Sequence, residues 1–340
     1  MTVVASSPLL SRVGVVVIGR NEAPRLAAAL ASVPPQVAAT VYVDSGSSDS
    51  SVAVARSAGV DVVELDRSVP FTASRGRNAG VRRLCELEPN LELVQFLDGD
   101  CTLLPDWLET GVSLLSEREE VVAVVGRLHE MHPERSIYNR LCEMEWAAHA
   151  PGTTMAFGGI VMMRIGRLLD AGGWNETIIA AEDNDLALRL RSHGGSVVLL
   201  STSMARHDSA IMRFRQWWRR SVRCGHAFAE IENIYRRSAE RYFRWEICRT
   251  WLWGVVLPVG SLALAVPSRG ASLLLLASYP LQIIRLAVRR RRKGSPTGEA
   301  LLWATACVLA RFAEAEGALR YYTNRWRKRQ STIIEHKGAG

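Results

Sequence analysis

Two aspartate pairs in this chain have a single residue between them, Asp98-Gly99-Asp100 and Asp183-Asn184-Asp185. The first closes the run Leu93-Val94-Gln95-Phe96-Leu97, which is short enough for a buried strand. If that strand is parallel, both acids sit at its carboxyl end, where open α/β sheets hold their ligands. Hard oxygen ligands at i and i+2 suit a divalent cation shared with phosphate oxygens. An ordinary turn after a strand is the plainer alternative, since Asp and Gly are turn residues. The second pair lies in Ala181-Glu182-Asp183-Asn184-Asp185-Leu186, which reads as a helix start. At about 100° per residue, acids two apart on a helix diverge and cannot jointly clasp one ion. Glu182 and Asp183 are therefore expected to do separate jobs, while Asp185 favours the helix dipole. Plain helix-start electrostatics is the alternative for all three. His207-Asp208 follows a strand expected at Val197 to Leu200, and a lone histidine is more often structural than a ligand. His129 and His132 receive no role.

The elements that must position these acids follow from the apolar pattern. Strands are predicted at Val13 to Ile18, Thr40 to Val43, Asp61 to Leu65, Leu93 to Asp98 and Val121 to Val125. Helices are predicted from Pro24 to Val33, from Ser48 or Asp49 to Gly59, from Ser74 to Glu86 and from Pro105 to about Ser116. Repeated strand–loop–helix units call for right-handed crossovers and a mostly parallel sheet with helices on both faces, an α/β class. Asp44 ends the second strand, so it should gather with Asp98 and Asp100 along one sheet edge. A nucleotide site is the natural expectation there. No GxGxxG follows the first strand and no GxxxxGK[ST] occurs, so dinucleotide-fold and P-loop chemistry are poor fits.

Composition adds a second region. The chain has 340 residues with 42 Lys and Arg against 34 Asp and Glu, a formal charge of +8. Much of the excess lies beside Trp or apolar segments: Arg213 to Arg223, Arg289 to Lys293 and Arg325 to Arg329. That placement favours a membrane surface over nucleic acid, and no nucleic-acid partner is expected. The six cysteines show no CxxC spacing, so neither a zinc site nor a disulfide framework is indicated, and a reduced cytosol is the simplest compartment. Met1 to Arg12 has no basic stretch followed by a long apolar core, so no signal peptide is expected. Trp251 to Pro267 and Gly270 to Val288 are apolar runs near spanning length, joined by Ser268 and Arg269. Arg289 to Lys293 follow at once, and the positive-inside rule places them in the cytosol. A membrane hairpin is predicted, with Ala300 to Ala310 interfacial or packed on it; three buried helices of a soluble domain are the alternative. Three regions result: a catalytic domain over 1–210, basic-aromatic interfacial helices over 211–245, and the hairpin with a basic tail over 246–340.

In their order, these motifs resemble the inverting family 2 glycosyltransferases with the GT-A fold. Val15-Val16-Val17-Ile18-Gly19-Arg20-Asn21-Glu22 resembles the family's opening strand and loop. Val43-Asp44-Ser45-Gly46-Ser47-Ser48-Asp49-Ser50 resembles its nucleotide-binding turn, with Ser45 where many members carry a second Asp. Arg75-Gly76-Arg77-Asn78-Ala79-Gly80 is similar to its Arg-Asn-x-Gly helix start, and Asp98-Gly99-Asp100 to its DXD. Gly172-Gly173-Trp174-Asn175-Glu176 followed by Glu182-Asp183 resembles its acceptor-side ED motif. Gln216-Trp217-Trp218-Arg219-Arg220 matches the QxxRW of processive members only in part. The match spans roughly residues 13–223. The resemblance implies an enzyme at the cytoplasmic membrane, its catalytic domain in the cytosol, acting in exopolysaccharide or glycolipid synthesis. It would transfer a sugar from a UDP- or GDP-sugar to a lipid-linked or membrane-proximal glycan. By the same resemblance, Asp98 and Asp100 hold Mg2+ or Mn2+, with His207 completing the metal shell. Asp44, Arg77 and Glu182 serve the nucleotide side, Arg219 or Arg220 neutralises phosphate, and Asp183 deprotonates the acceptor. A sugar nucleotidyltransferase and a non-catalytic membrane scaffold are the competing functions.

Overall fold

The computed structural model describes residues 9–238, 241–329, 332 and 334. Residues 1–8 of the stretch where no signal peptide is expected, and the end of the basic tail, lie outside the described residues. The chain divides into two compact units, residues 1–132 with 145–209, and residues 133–144 with 210–340.

Among the described residues, the first unit is built on nine strands: β1 Val13–Gly19, β2 Ala39–Asp44, β3 Asp61–Glu64, β4 Leu93–Asp98, β5 Cys101–Leu103, β6 Val121–Glu130, β7 Gly152–Thr153, β8 Val161–Arg164 and β9 Ser196–His207. They form one sheet in the order β3-β2-β1-β4-β8-β6-β9-β5, with β7 paired to β9. Helices α1 Ala23–Ala31, α2 Ser51–Ser57, α3 Ala73–Leu87 and α4 Trp107–Glu117 provide the crossovers. Val13, Val15, Val16 and Val17 of β1 are fully buried, as expected of a central strand covered on both faces. Gly19 lies opposite Asp44, and Ile18 opposite Asp98. The register thus brings both acids to the carboxyl end of β1, where the sequence pattern put them.

The far half of the sheet is mixed rather than uniformly parallel. β8 runs antiparallel between β4 and β6, and β5 and β7 run antiparallel to β9. Val161-Met162-Met163 is too short an apolar run to announce itself as a strand. It enters from the long segment after α5 (Ile137–Trp146), without a crossover helix to enforce parallel pairing. β9 also continues well past Leu200, so His207 is the last residue of a strand. Two further helices, α6 Ile165–Asp170 and α7 Glu182–Ser192, complete this unit.

The second unit is helical: α8 Phe214–Tyr235, α9 Arg244–Trp251, α10 Leu257–Ala263, α11 Ser278–Arg291 and α12 Thr297–Trp326. Gln216 caps α8 by accepting from the amides of Met212 and Arg213. α8 and α12 cross backbone to backbone. A Cβ on Gly225 would lie 2.0 Å from the Glu314 carbonyl oxygen, and one on Gly317 would lie 1.9 Å from that of Val222, so no side chain fits at either position. The first apolar run is divided between the end of α9, a π turn at Leu252–Val256 and α10. Ala271–Arg291 is the one helical stretch among the described residues long and apolar enough to cross a membrane. The third run falls inside the 30-residue α12, which packs on α11 through Ala287, Ala300 and Ala304.

Candidate active site

Two loops at the carboxyl edge of the sheet are stitched together by side-chain oxygens. Asn21 accepts from the Ser48 amide at 2.8 Å, and its own amide donates to Ser47 Oγ at 2.9 Å. The Glu22 amide reaches Ser51 Oγ, and that of Ala23 reaches Asp49. Asp44 is only 1% exposed. Its carboxylate accepts from the amides of Gly46 and Ser47 and from the hydroxyls of Tyr42 and Ser47. With those four donors in place, Asp44 shapes the turn after β2, whereas the family resemblance implies a contact with the nucleotide. The sequence hid this because the Ser and Gly that saturate it are its own turn residues.

Arg77 is the hub of the site. It lies on α3, 3% exposed, donating to Glu182 Oε1 at 2.8 Å and to Asp98 Oδ1 at 3.2 Å. Its guanidinium lies 4.6 Å from the centroid of the Trp174 ring, which packs edge-on against Phe96 and Phe157. Burial works against its charge, yet Asp98 and Glu182 more than compensate, so its pKa is raised. A side chain at position 159 would force Arg77 to shift: a Cβ on Gly159 would sit 2.2 Å from Arg77 Nη2 and 3.1 Å from Asp98 Oδ2. Asn78, the next residue along, clamps the turn over Gly172 to Glu176. Its side chain accepts from the Trp174 amide and donates to the Trp174 carbonyl and to Glu176.

The two acids on α7 diverge as the helical geometry requires. Asp183 is half-buried and accepts from the Gly158 amide at 2.9 Å. Burial, then the adjacent charge of Glu182, pushes its carboxyl up from the ordinary range against the pull of Gly158 and Arg77. Asp185 points elsewhere, pairing with Arg189 one turn along at 2.6 Å. Arg189 in turn donates to the carbonyls of Ala171 and Gly173, so Asp185 braces the Gly172-Gly173 turn instead of merely favouring the helix dipole.

Asp100 and His207 do come together. Asp100 Oδ2 lies 3.3 Å from His207 Nε2, and Trp146 stacks on the imidazole at 5.1 Å between centroids. Asp98, the expected partner of Asp100, is turned instead toward Arg77: β4 ends at Asp98 and the chain bends at Gly99. The third donor beside Asp100 and His207 is Cys101. One ligand atom from each lies within 4.8 Å of the others, the one such group of three among the described residues. Oxygen, nitrogen and sulfur donors at that separation fit a divalent cation. Arg25 on α1 answers the charges of Glu22, Asp100 and Asp208, which hold its pKa up against burial.

Arg219 and Arg220 belong to the second unit, on α8. Cys101 and Trp146 carry no assignment from sequence: Cys101 has no second cysteine nearby, and Trp146 meets His207 from about sixty positions away. The Phe157-Gly158-Gly159 stretch stands out in the sequence, but its contacts with Asp183 and Arg77 come from residues more than twenty positions away.

Comparison with known proteins bears on the same region. Residues 14–165 match the family model described as Glycosyl transferase family 2. No curated protein sequence matches the chain. Among solved structures, the mannosyltransferase PcManGT from Pyrobaculum calidifontis, in complex with GDP-Man and Mn2+, is 20% identical with a TM-score of 0.57, covering 88% of this chain and 86% of that one. TarS 1-349 from S. aureus is 15% identical with a TM-score of 0.46, covering 91% of each chain. Glucosyl-3-phosphoglycerate synthase from Mycobacterium tuberculosis, in complex with Mn2+, UDP and glucosyl-3-phosphoglycerate, is 18% identical with a TM-score of 0.46, covering 66% and 81%. The mannosyltransferase likeness supports the GT-A fold. The resemblance read from the motifs is borne out: over residues 14–165 this chain matches glycosyl transferase family 2.

Proposed function

We propose that the protein is an inverting glycosyltransferase that moves a sugar from a UDP- or GDP-sugar to a hydroxyl of a lipid-linked or membrane-proximal glycan. The observation that carries this reading is Arg77. By bonding both Asp98 at the end of β4 and Glu182 at the start of α7, it joins the strand-end acids and the helix-start acids into one cluster. A scaffold has no need of that arrangement.

Within the cluster the roles divide. Asp183, its carboxyl pushed up and its side chain half-buried, takes the proton from the acceptor hydroxyl as that oxygen attacks the anomeric carbon in line. No covalent intermediate on the enzyme is needed, and the configuration inverts. Asp100 and His207 would hold Mg2+ or Mn2+, and the bound cation would neutralise the growing charge of the diphosphate leaving group. Asp98 acts through Arg77, and Glu182 fixes Arg77 from the other side. Asp44 keeps the nucleotide-side turn in shape. Arg219 and Arg220 supply positive charge for phosphate on α8.

For the acceptor, the support is the second unit's apolar surface. Leu274, Leu281, Ile284 and Val288 are exposed along Ala271–Arg291, and Arg289 to Lys293 follow directly. That combination suits attachment to the cytoplasmic membrane with the basic cluster and the catalytic unit on the cytosolic side. A donor screen tests the whole reading. UDP- and GDP-sugars are incubated with protein, Mn2+ and membranes, and nucleoside diphosphate release is scored. One donor class should react, and chelation should stop it. Release of pyrophosphate from a sugar phosphate and a nucleoside triphosphate would make the protein a nucleotidyltransferase instead.

A further inference from the structure

The apolar surface of the second unit gathers on two paired helical arms. The first continues from α9 through the π turn into α10 and ends near Leu264. The second starts at Ala271 in a 3-10 turn and runs on as α11. Ser272 Oγ donates to the Ser261 carbonyl at 2.7 Å, and the Tyr279 hydroxyl donates to the Trp253 carbonyl at 2.5 Å, which pairs the arms antiparallel. Tyr279 is also the middle of the apolar stretch from Ala271 to Val288. At that level its ring stacks on Phe312 of α12, with 5.6 Å between centroids. Gly254 lies against the Arg311 carbonyl oxygen, where a Cβ would sit 2.4 Å away. Arg311 pairs with the buried Glu314 at 2.8 Å, and Glu314 accepts from the Thr250 hydroxyl. A charged pair therefore sits level with the midpoint of the stretch that is long enough to cross a bilayer.

A helix standing across the membrane would carry its midpoint about 15 Å deep, and Arg311 and Glu314 with it, where charged side chains are expensive. The other cations of the arms fit a different placement. Arg269 is exposed in the turn between the arms, Arg285 is exposed on α11, and Arg289 to Lys293 close that helix. Leu274, Leu281 and Val288, seven residues apart, form an exposed apolar stripe, while Ser272 and Ala287 are buried. An apolar stripe with cations at both ends and along its flank suits a helix lying in the plane of the interface. We propose that Ala271–Arg291 lies along the cytosolic leaflet, its apolar stripe at the acyl boundary and its arginines on anionic phospholipid headgroups, and that it does not cross the bilayer. The inference rests on the membrane attachment proposed above and changes its form, from a spanning hairpin to one seated on a single leaflet.

The two placements put the turn between the arms on opposite sides of the membrane. Pro267→Cys and, separately, Arg269→Cys are expressed as full chains in a bacterial host. Intact spheroplasts and inverted membrane vesicles are treated with a membrane-impermeant maleimide, with the unaltered protein as the blank. Either added cysteine should label in inverted vesicles and stay unlabelled in intact spheroplasts. Labelling from outside would show a crossing, and labelling in neither preparation would show a turn buried in the bilayer; each overturns the inference. Flotation of the unaltered chain decides if neither variant folds. Diluted from detergent onto preformed vesicles, it should float about tenfold more with phosphatidylcholine containing phosphatidylglycerol than with phosphatidylcholine alone. Equal flotation with both, or none with either, would overturn the headgroup contact. Nucleoside diphosphate release is measured on the same membranes. If it persists while labelling shows a crossing, only the placement falls and the glycosyltransferase reading stands.

Discussion

In Asp98-Gly99-Asp100 the first acid is the last residue of a strand and the second comes after a bend. In Asp183-Asn184-Asp185 both acids lie in the first turn of a helix. The spacing is identical, yet the carboxylates meet different groups: Asp98 meets Arg77, Asp100 meets His207 and Cys101, Asp183 meets the Gly158 amide and Asp185 meets Arg189. On the roles proposed above, each region has one acid assigned chemical work and one assigned a bracing contact. Asp100 lies beside His207 and Cys101 while Asp98 pairs with Arg77; Asp183, the proposed base, meets the Gly158 amide while Asp185 pairs with Arg189. The lesson is that the backbone under a motif decides what its side chains can share.

Substitutions can break this division of roles, and the expected effects fall in a definite order. Asp100→Ala should cost the most, about 10^4-fold in sugar transfer, since a cation that stabilises the leaving group is worth several kcal/mol at about 1.4 kcal/mol per decade. Steady-state rates at saturating Mn2+ measure it. Asp183→Asn should lower kcat by about 10^3-fold, in the range of a lost general base, with KM for the donor little changed. Gly159→Ala drives a methyl into Arg77 and should cost about 10^2-fold through displacement of the cluster, without loss of any reacting group. A near-normal rate there would show that Arg77 can shift without harm. Asp185→Asn should leave the rate within about tenfold but lower stability by about 2 kcal/mol, read from denaturant unfolding of the full chain.

The pH dependence sharpens the same contrast. A base works only when unprotonated, so kcat should fall as pH drops through the Asp183 pKa in the folded protein. Because that pKa is raised, the acid limb should lie above the ordinary aspartate value of about 3.9. In Asp183→Asn the limb should disappear from the residual activity.

Much of this was legible in the sequence. The β-branched run before Gly19 and the acids closing β2 and β4 gave the sheet edge, because fully buried parallel strands read as unbroken apolar segments. The divergence of Asp183 and Asp185 followed from helical periodicity alone. The antiparallel β8 did not, since three apolar residues cannot distinguish a strand from a loop. The turning of Asp98 toward Arg77 was equally hidden, because it depends on Glu182 approaching from more than a hundred residues away. Local pattern records what each element buries. It does not record which distant charge completes a cluster.

The division between a donor-side acid and an acceptor-side acid is tested most directly by one comparison. Mn2+-dependent binding of GDP or UDP is titrated calorimetrically in the unaltered protein, in Asp183→Asn and in Asp100→Ala. Asp183→Asn should bind as the unaltered protein does while failing to transfer sugar, and Asp100→Ala should lose the Mn2+ dependence of binding. Unchanged binding in Asp100→Ala, or weakened binding in Asp183→Asn, would contradict the assignment of the two acids to opposite substrates.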